Sequence, residues 1–160
     1  MNLFSIARLK FVFFLAVLFG FSFGLILGVS LETSAETIER SGSFDHVSKS
    51  EIKLMGNSVI IQLDDKKVEW SEFENTNSMD PLLDEGYNGL EFIPRTVEDI
   101  HVGDVISFNY EGDIYVHRVV EINEDGLGWF ALTKGDNLYN IDNGKRRFKD
   151  IKGVIFGVVF

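Results

Sequence analysis

The chain has 160 residues, enough for one modest domain plus an anchor, and its 45% hydrophobic content suits a folded protein rather than a disordered one. It has no cysteine, which excludes disulfides, thiol catalysis and cysteine-ligated zinc. The formal net charge is −10, and from residue 32 onward 13 basic residues face 25 acidic ones, a net −12, so the basic footprint of a nucleic-acid partner is absent.

Residues 1–10 carry Arg8 and Lys10 and read as a cytoplasmic N-terminus. Residues 11–31 follow without a charge, and as a helix they span roughly 30 Å, the thickness of a bilayer's hydrocarbon core. Glu32, Glu36 and Glu39 come next, so the positive-inside rule places everything beyond the helix on the outer face. The expectation is a single-pass protein of the cell membrane. A cleaved signal peptide is the rival reading, but its apolar region is usually about 7–15 residues, and Thr33-Ser34-Ala35 matches a cleavage site weakly. Residues 32–50 are polar and read as a tether, with His46 as part of a solvent-exposed spacer.

From residue 51 to 160 the pattern changes to short apolar runs rich in β-branched residues. Strands are predicted at 51–55, 58–63, 67–70, 89–93, 105–110, 114–122, 129–133 and 153–160, separated by turn signals such as Gly56-Asn57 and Glu111-Gly112-Asp113. No segment after residue 32 sustains a helical apolar period. The expected class is all-β, a barrel or sandwich behind one N-terminal transmembrane helix. The last run, 153–160, is too short to cross a bilayer as a helix and reads as a core strand.

Three places carry residues suited to chemistry. Ser78 stands in Asn77-Ser78-Met79-Asp80-Pro81, where Pro81 stiffens the backbone and can hold a hydroxyl in one direction. His117 lies in a predicted strand, on one face with Tyr115 and Val119, while Val116 and Arg118 share the other. Imidazole is the natural general base near neutral pH. Asp136 and Asp142 lie in the polar stretch after the next strand. That stretch also reads as a calcium loop through Asp136, Asn140 and Asp142, but the EF-hand spacing fails, and no metal is expected there. Singly, each residue is as well explained by an ordinary turn, a packed histidine or a polar loop. Together, in this order, they are the parts of a nucleophile, a base and an orienting acid.

These residues resemble the type I signal peptidases, in the branch that uses histidine as base and includes archaeal enzymes and the catalytic subunit of the endoplasmic-reticulum complex. The matching segments are Ser78-Met79-Asp80-Pro81, Ile100-His101-Val102-Gly103-Asp104-Val105-Ile106, Val116-His117-Arg118-Val119 and Leu132-Thr133-Lys134-Gly135-Asp136-Asn137. The resemblance implies Ser78 as nucleophile, His117 as base, Asp142 as the third catalytic acid and Asp136 as a supporting acid. It implies oxyanion or substrate contacts from Thr76, Ser78 and Met79, and no cofactor or metal. It also implies signal-peptide-bearing preproteins, the lipid bilayer and the secretion translocon as partners. This chain has Thr76-Asn77 where the family often has Ser-Gly, and Leu138 where a second Asn is usual; its strands between 51 and 70 have no counterpart in the well-known members. A Ser78–Lys134 dyad and a non-catalytic binding protein of the same fold are the alternatives.

Overall fold

The computed structural model describes residues 40–63 and 65–160. The predicted anchor at 11–31 lies outside the described residues, and among the described residues no helix is long and apolar enough to cross a membrane.

The described chain is mostly β, as its alternating apolar pattern requires. β1 (Ile52–Met55) and β2 (Ser58–Ile61) form a separate hairpin whose Leu54, Met55 and Val59 side chains stay exposed. The six remaining strands are β3 (Val68–Glu72), β4 (Asn88–Phe92), β5 (Val105–Tyr110), β6 (Asp113–Asp125), β7 (Gly128–Lys134) and β8 (Ile151–Val159). They make one antiparallel sheet in the order β3-β4-β8-β5-β6-β7. β3 and β7 are its two edges and do not pair with each other, so the sheet is open rather than a closed barrel. The C-terminal apolar run lies centrally between β4 and β5, where both of its edges are hydrogen-bonded.

Period-two alternation divides the core between the two faces of this sheet. Phe92, Ile106, Phe108, Val119 and Val154 are almost fully buried in one cluster; Met79, Leu83, Val105 and Ile155 form a second. Neighbours such as Val105 and Ile106, or Val154 and Ile155, supply one side chain to each. The β5–β6 turn is built on Glu111 (φ 53°) and Gly112 (φ 100°), the paired left-handed conformation that matches the twist of a two-residue hairpin. A bulge between Val119 and Glu121 inserts one residue into β6. It returns Ile122 to the face of the larger cluster, which strict alternation would have turned away.

Residues 40–47 are not the free spacer expected from their composition. Arg40 donates to the Asp136 carbonyl (3.1 and 2.8 Å), Ser43 Oγ to the Gly103 carbonyl (3.1 Å), and the Phe44 amide to Asp104 Oδ1 (3.0 Å). Gly103, at φ 101°, lies so close beneath this strap that a Cβ would collide with the Gly42 carbonyl. The His46 side chain, expected in solvent, is only 4% exposed. Polar composition misled because the strap is held by hydrogen bonds rather than by an apolar face.

Candidate active site

β6 carries His117 opposite Ile106, on the face that holds Phe108 and Tyr115. The imidazole is 9% exposed, and its Nδ1 stands 2.6 Å from Asp142 Oδ2. Asp142 reaches this position because its amide donates to the Thr133 carbonyl at 2.8 Å, folding the loop back on the end of β7. The Thr133 hydroxyl donates to the same Oδ2 at 2.7 Å, and Arg146 Nε donates to that hydroxyl at 3.2 Å. The Arg146 guanidinium stacks over Phe108 and Tyr110, 4.5 and 4.3 Å from their ring centres, and lies 4.0 Å from Asp142.

Burial works to raise the Asp142 pKa. The His117 and Thr133 hydrogen bonds and the charges of His117 and Arg146 outweigh it, so the carboxyl sits below its ordinary value. An ionised Asp142 accepts a hydrogen bond from Nδ1–H, which selects the neutral tautomer with its proton on Nδ1. That leaves Nε2 with its lone pair, the form a general base needs.

Ser78 is positioned by different means. Asn77 adopts φ 55°, a left-handed conformation that asparagine tolerates better than most residues. The Ser78 carbonyl accepts from the Asn137 amide (2.9 Å), and Asn137 Nδ2 donates to the Asn77 carbonyl (2.9 Å). A Cβ on Gly135 would sit 2.6 Å from the Ser78 carbonyl oxygen, so the chain leaving β7 approaches the serine as closely as glycine allows. The Met79 side chain is buried in the smaller cluster beside Val105 and Val116, on the sheet face opposite His117. Its sulfur accepts from the Asp136 amide at 3.4 Å.

The Ser78 hydroxyl shares a hydrogen bond with Thr76 Oγ1 at 3.0 Å. Among the described residues no hydrogen bond joins it to His117. The same loop therefore touches both halves of the candidate site, its Gly135–Asn137 end at Ser78 and its Asp142 end at His117.

Asp136 is not beside the imidazole. It forms a buried two-pronged ion pair with Arg118, Nε to Oδ1 at 2.8 Å and the terminal nitrogen to Oδ2 at 2.7 Å, while the other Arg118 nitrogen donates to the Gly103 carbonyl at 2.7 Å. Lys134 pairs with Arg118 across β6–β7 and so shares its face, away from His117. The calcium-loop candidates do not converge, since Asp136 and Asp142 are committed to different partners. Thr133 and Arg146, which hold the acid, were not singled out in the sequence. Thr133 stood in a matched segment, but nothing local marked Arg146. Comparison with protein-family models, curated proteins and solved structures finds no match to this chain.

Proposed function

We propose that the protein is a membrane-anchored serine endopeptidase of the signal-peptidase type, with Ser78 as nucleophile, His117 as base and Asp142 as orienting acid. The observation that carries this reading is the 2.6 Å His117–Asp142 pair, buttressed by Thr133 and Arg146. An imidazole held at Nδ1 by a carboxylate is the arrangement that the base and acid of a hydrolytic triad require, which supports this reading.

In this mechanism His117 Nε2 takes the Ser78 proton as Oγ attacks the scissile carbonyl carbon. The tetrahedral intermediate collapses when His117 passes that proton to the leaving amine, and the acyl group stays on Oγ. Water then gives a proton to Nε2 and attacks the ester, and Ser78 leaves with its hydroxyl restored. The Ser78 amide and the Thr76 hydroxyl stabilise the oxyanion, one such donor being typically worth about 3 kcal/mol. Reaction requires the Ser78 hydroxyl to leave Thr76 and come within hydrogen-bond reach of His117 Nε2 when substrate binds.

The substrate in this reading is an extended peptide. β7 pairs with β6 only from Arg118 onward, so Asp113–His117 presents a strand edge with no β7 partner, ending at the base. A preprotein segment added there as a strand would bring its backbone alongside His117. Anchoring in the same membrane as the substrate raises effective concentration.

A non-catalytic binding module of the same architecture is the second reading, favoured by the Ser78 hydroxyl engaging Thr76 rather than His117. The full chain in detergent, assayed on a preprotein and on a serine-directed fluorophosphonate, separates the two. Cleavage and labelling by the native chain, both lost in Ser78→Ala and cleavage lost in His117→Ala, is expected. Undiminished cleavage by either variant would exclude the peptidase mechanism.

A further inference from the structure

A second cluster of titratable side chains lies apart from the His117–Asp142 pair. His46 Nε2 is 3.0 Å from Asp104 Oδ1, and His101 Nδ1 is 3.7 Å from Asp104 Oδ2. All three prospective ligand atoms lie within 4.8 Å of one another. His46 is 4% exposed at its side chain and Asp104 is fully buried. His46 Nε2 and His101 Nδ1 are both buried, and beyond the Asp104 carboxylate neither has a hydrogen-bond partner among the described residues. Two buried nitrogens gathered at one carboxylate call for a shared partner.

We propose that His46, His101 and Asp104 bind a divalent first-row transition metal of the zinc type, which clamps the strap at 40–47 to the turn leading into β5. Two imidazoles and a carboxylate are the donor set such ions take, whereas calcium and magnesium take oxygen ligands. Bonds of about 2.0–2.1 Å in a tetrahedral site put ligand atoms roughly 3.3 Å apart. The 3.0 and 3.7 Å separations of the two imidazoles from the Asp104 carboxylate bracket that value, and no pair of ligand atoms is more than 4.8 Å apart.

The surroundings already orient the ligands. The His101 and Phe44 amides donate to the two Asp104 oxygens at 2.8 and 3.0 Å, and the Phe44 ring stacks on His101 with centroids 3.9 Å apart. Such supporting contacts are what hold metal ligands in register. His101, 38% exposed, is the entry side and leaves a fourth position for water. A simple ion pair of protonated His46 with Asp104 would leave the His101 nitrogen unpartnered; a metal satisfies both rings. The Val119 amide donates to the Asp104 carbonyl (2.8 Å) and the Gly103 amide to the Val119 carbonyl (2.8 Å), so the clamp braces β6 two residues from His117. This metal takes no part in peptide hydrolysis, and the site is independent of that reading.

The test is titration of the chelator-stripped full chain in detergent with Zn²⁺ by calorimetry and with Co²⁺ by visible absorption. One equivalent is expected to bind, with ligand-field bands in the cobalt spectrum and slower proteolysis of the strap. His46→Ala and His101→Ala should each weaken binding about tenfold or more, because even outer-shell losses cost that much. His101→Ala removes a partly exposed ring, which keeps the test interpretable if His46→Ala does not fold. His117→Ala, which removes the third of the chain's 3 histidines, should leave the titration unchanged. No stoichiometric uptake, uptake unaffected by His101→Ala, or uptake lost in His117→Ala would each overturn the assignment.

Discussion

Arg118 and Asp136 are joined by two parallel hydrogen bonds, 2.8 and 2.7 Å, on the sheet face opposite His117. Adjacent residues of β6 thus serve separate acids: His117 takes Asp142 and Arg118 takes Asp136. The first pair is suited to proton transfer. The second ties the loop after β7 to β6 and to the Gly103 carbonyl, and so holds the backbone that Ser78 leans against.

Asp136→Ala is therefore expected to act on stability. It strands a buried guanidinium, a change that costs about 3–5 kcal/mol. Urea denaturation of the variant should show that loss. Native-like stability with a large fall in kcat would instead return Asp136 to the role of catalytic acid.

Asp142→Asn should leave the fold largely intact and lower kcat on the order of 10³–10⁴-fold, through loss of the imidazole's tautomer and charge support. Thr133→Val removes the second hydrogen bond to Oδ2. Loss of one hydrogen bond to a charged group predicts a roughly 10- to 100-fold lower kcat with KM little changed. Steady-state kinetics on a peptide substrate measures both, and a Thr133→Val effect confined to KM would contradict this role.

Gly135→Ala tests the close approach to Ser78. The added methyl would press on the Ser78 carbonyl oxygen at 2.6 Å and on the Leu138 side chain at 2.9 Å. The backbone must shift, at a typical cost of about 1–3 kcal/mol for overpacking. Labelling of Ser78 by a fluorophosphonate should slow, while the Asp142→Asn variant keeps a correctly placed but less activated serine. Unchanged labelling in Gly135→Ala would show that this contact does not position the nucleophile.

The Asp142 carboxyl, depressed below its ordinary 3.8, links stability to pH. The folded state favours the ionised form, so the unfolded chain binds this proton first as pH falls. The stabilisation is complete above the unfolded value and is lost as pH drops from about 3.8 through the lower folded value. The difference in urea midpoint between the native chain and Asp142→Asn should shrink as pH falls below about 3.8. A gap that widens on acidification would reverse the sign of this linkage.

Much of this arrangement was legible along the chain. Alternation in β6 put His117 and Arg118 on opposite faces, because side-chain direction in a strand is a property of local backbone geometry. The mostly-β class followed from short apolar runs and turn residues, whereas the positive φ of Asn77, read from the sequence only as a departure from glycine, is a finding of the structure. The all-β reading left barrel and sandwich as alternatives; that the sheet stays open at β3 and β7 was decided by pairing between strands far apart in sequence.

Sequence alone determined which residue types were present for chemistry, their order, and the face of β6 each would take. Tertiary structure decided which acid meets which base. Asp136 and Asp142 lie in one polar loop with no periodicity, and their destinations depend on Arg118 and His117 of β6, with Thr133 and Arg146 nearby holding the second acid. It also decided that His46 leaves solvent to join His101 and Asp104, an encounter between segments more than fifty residues apart that no local pattern encodes.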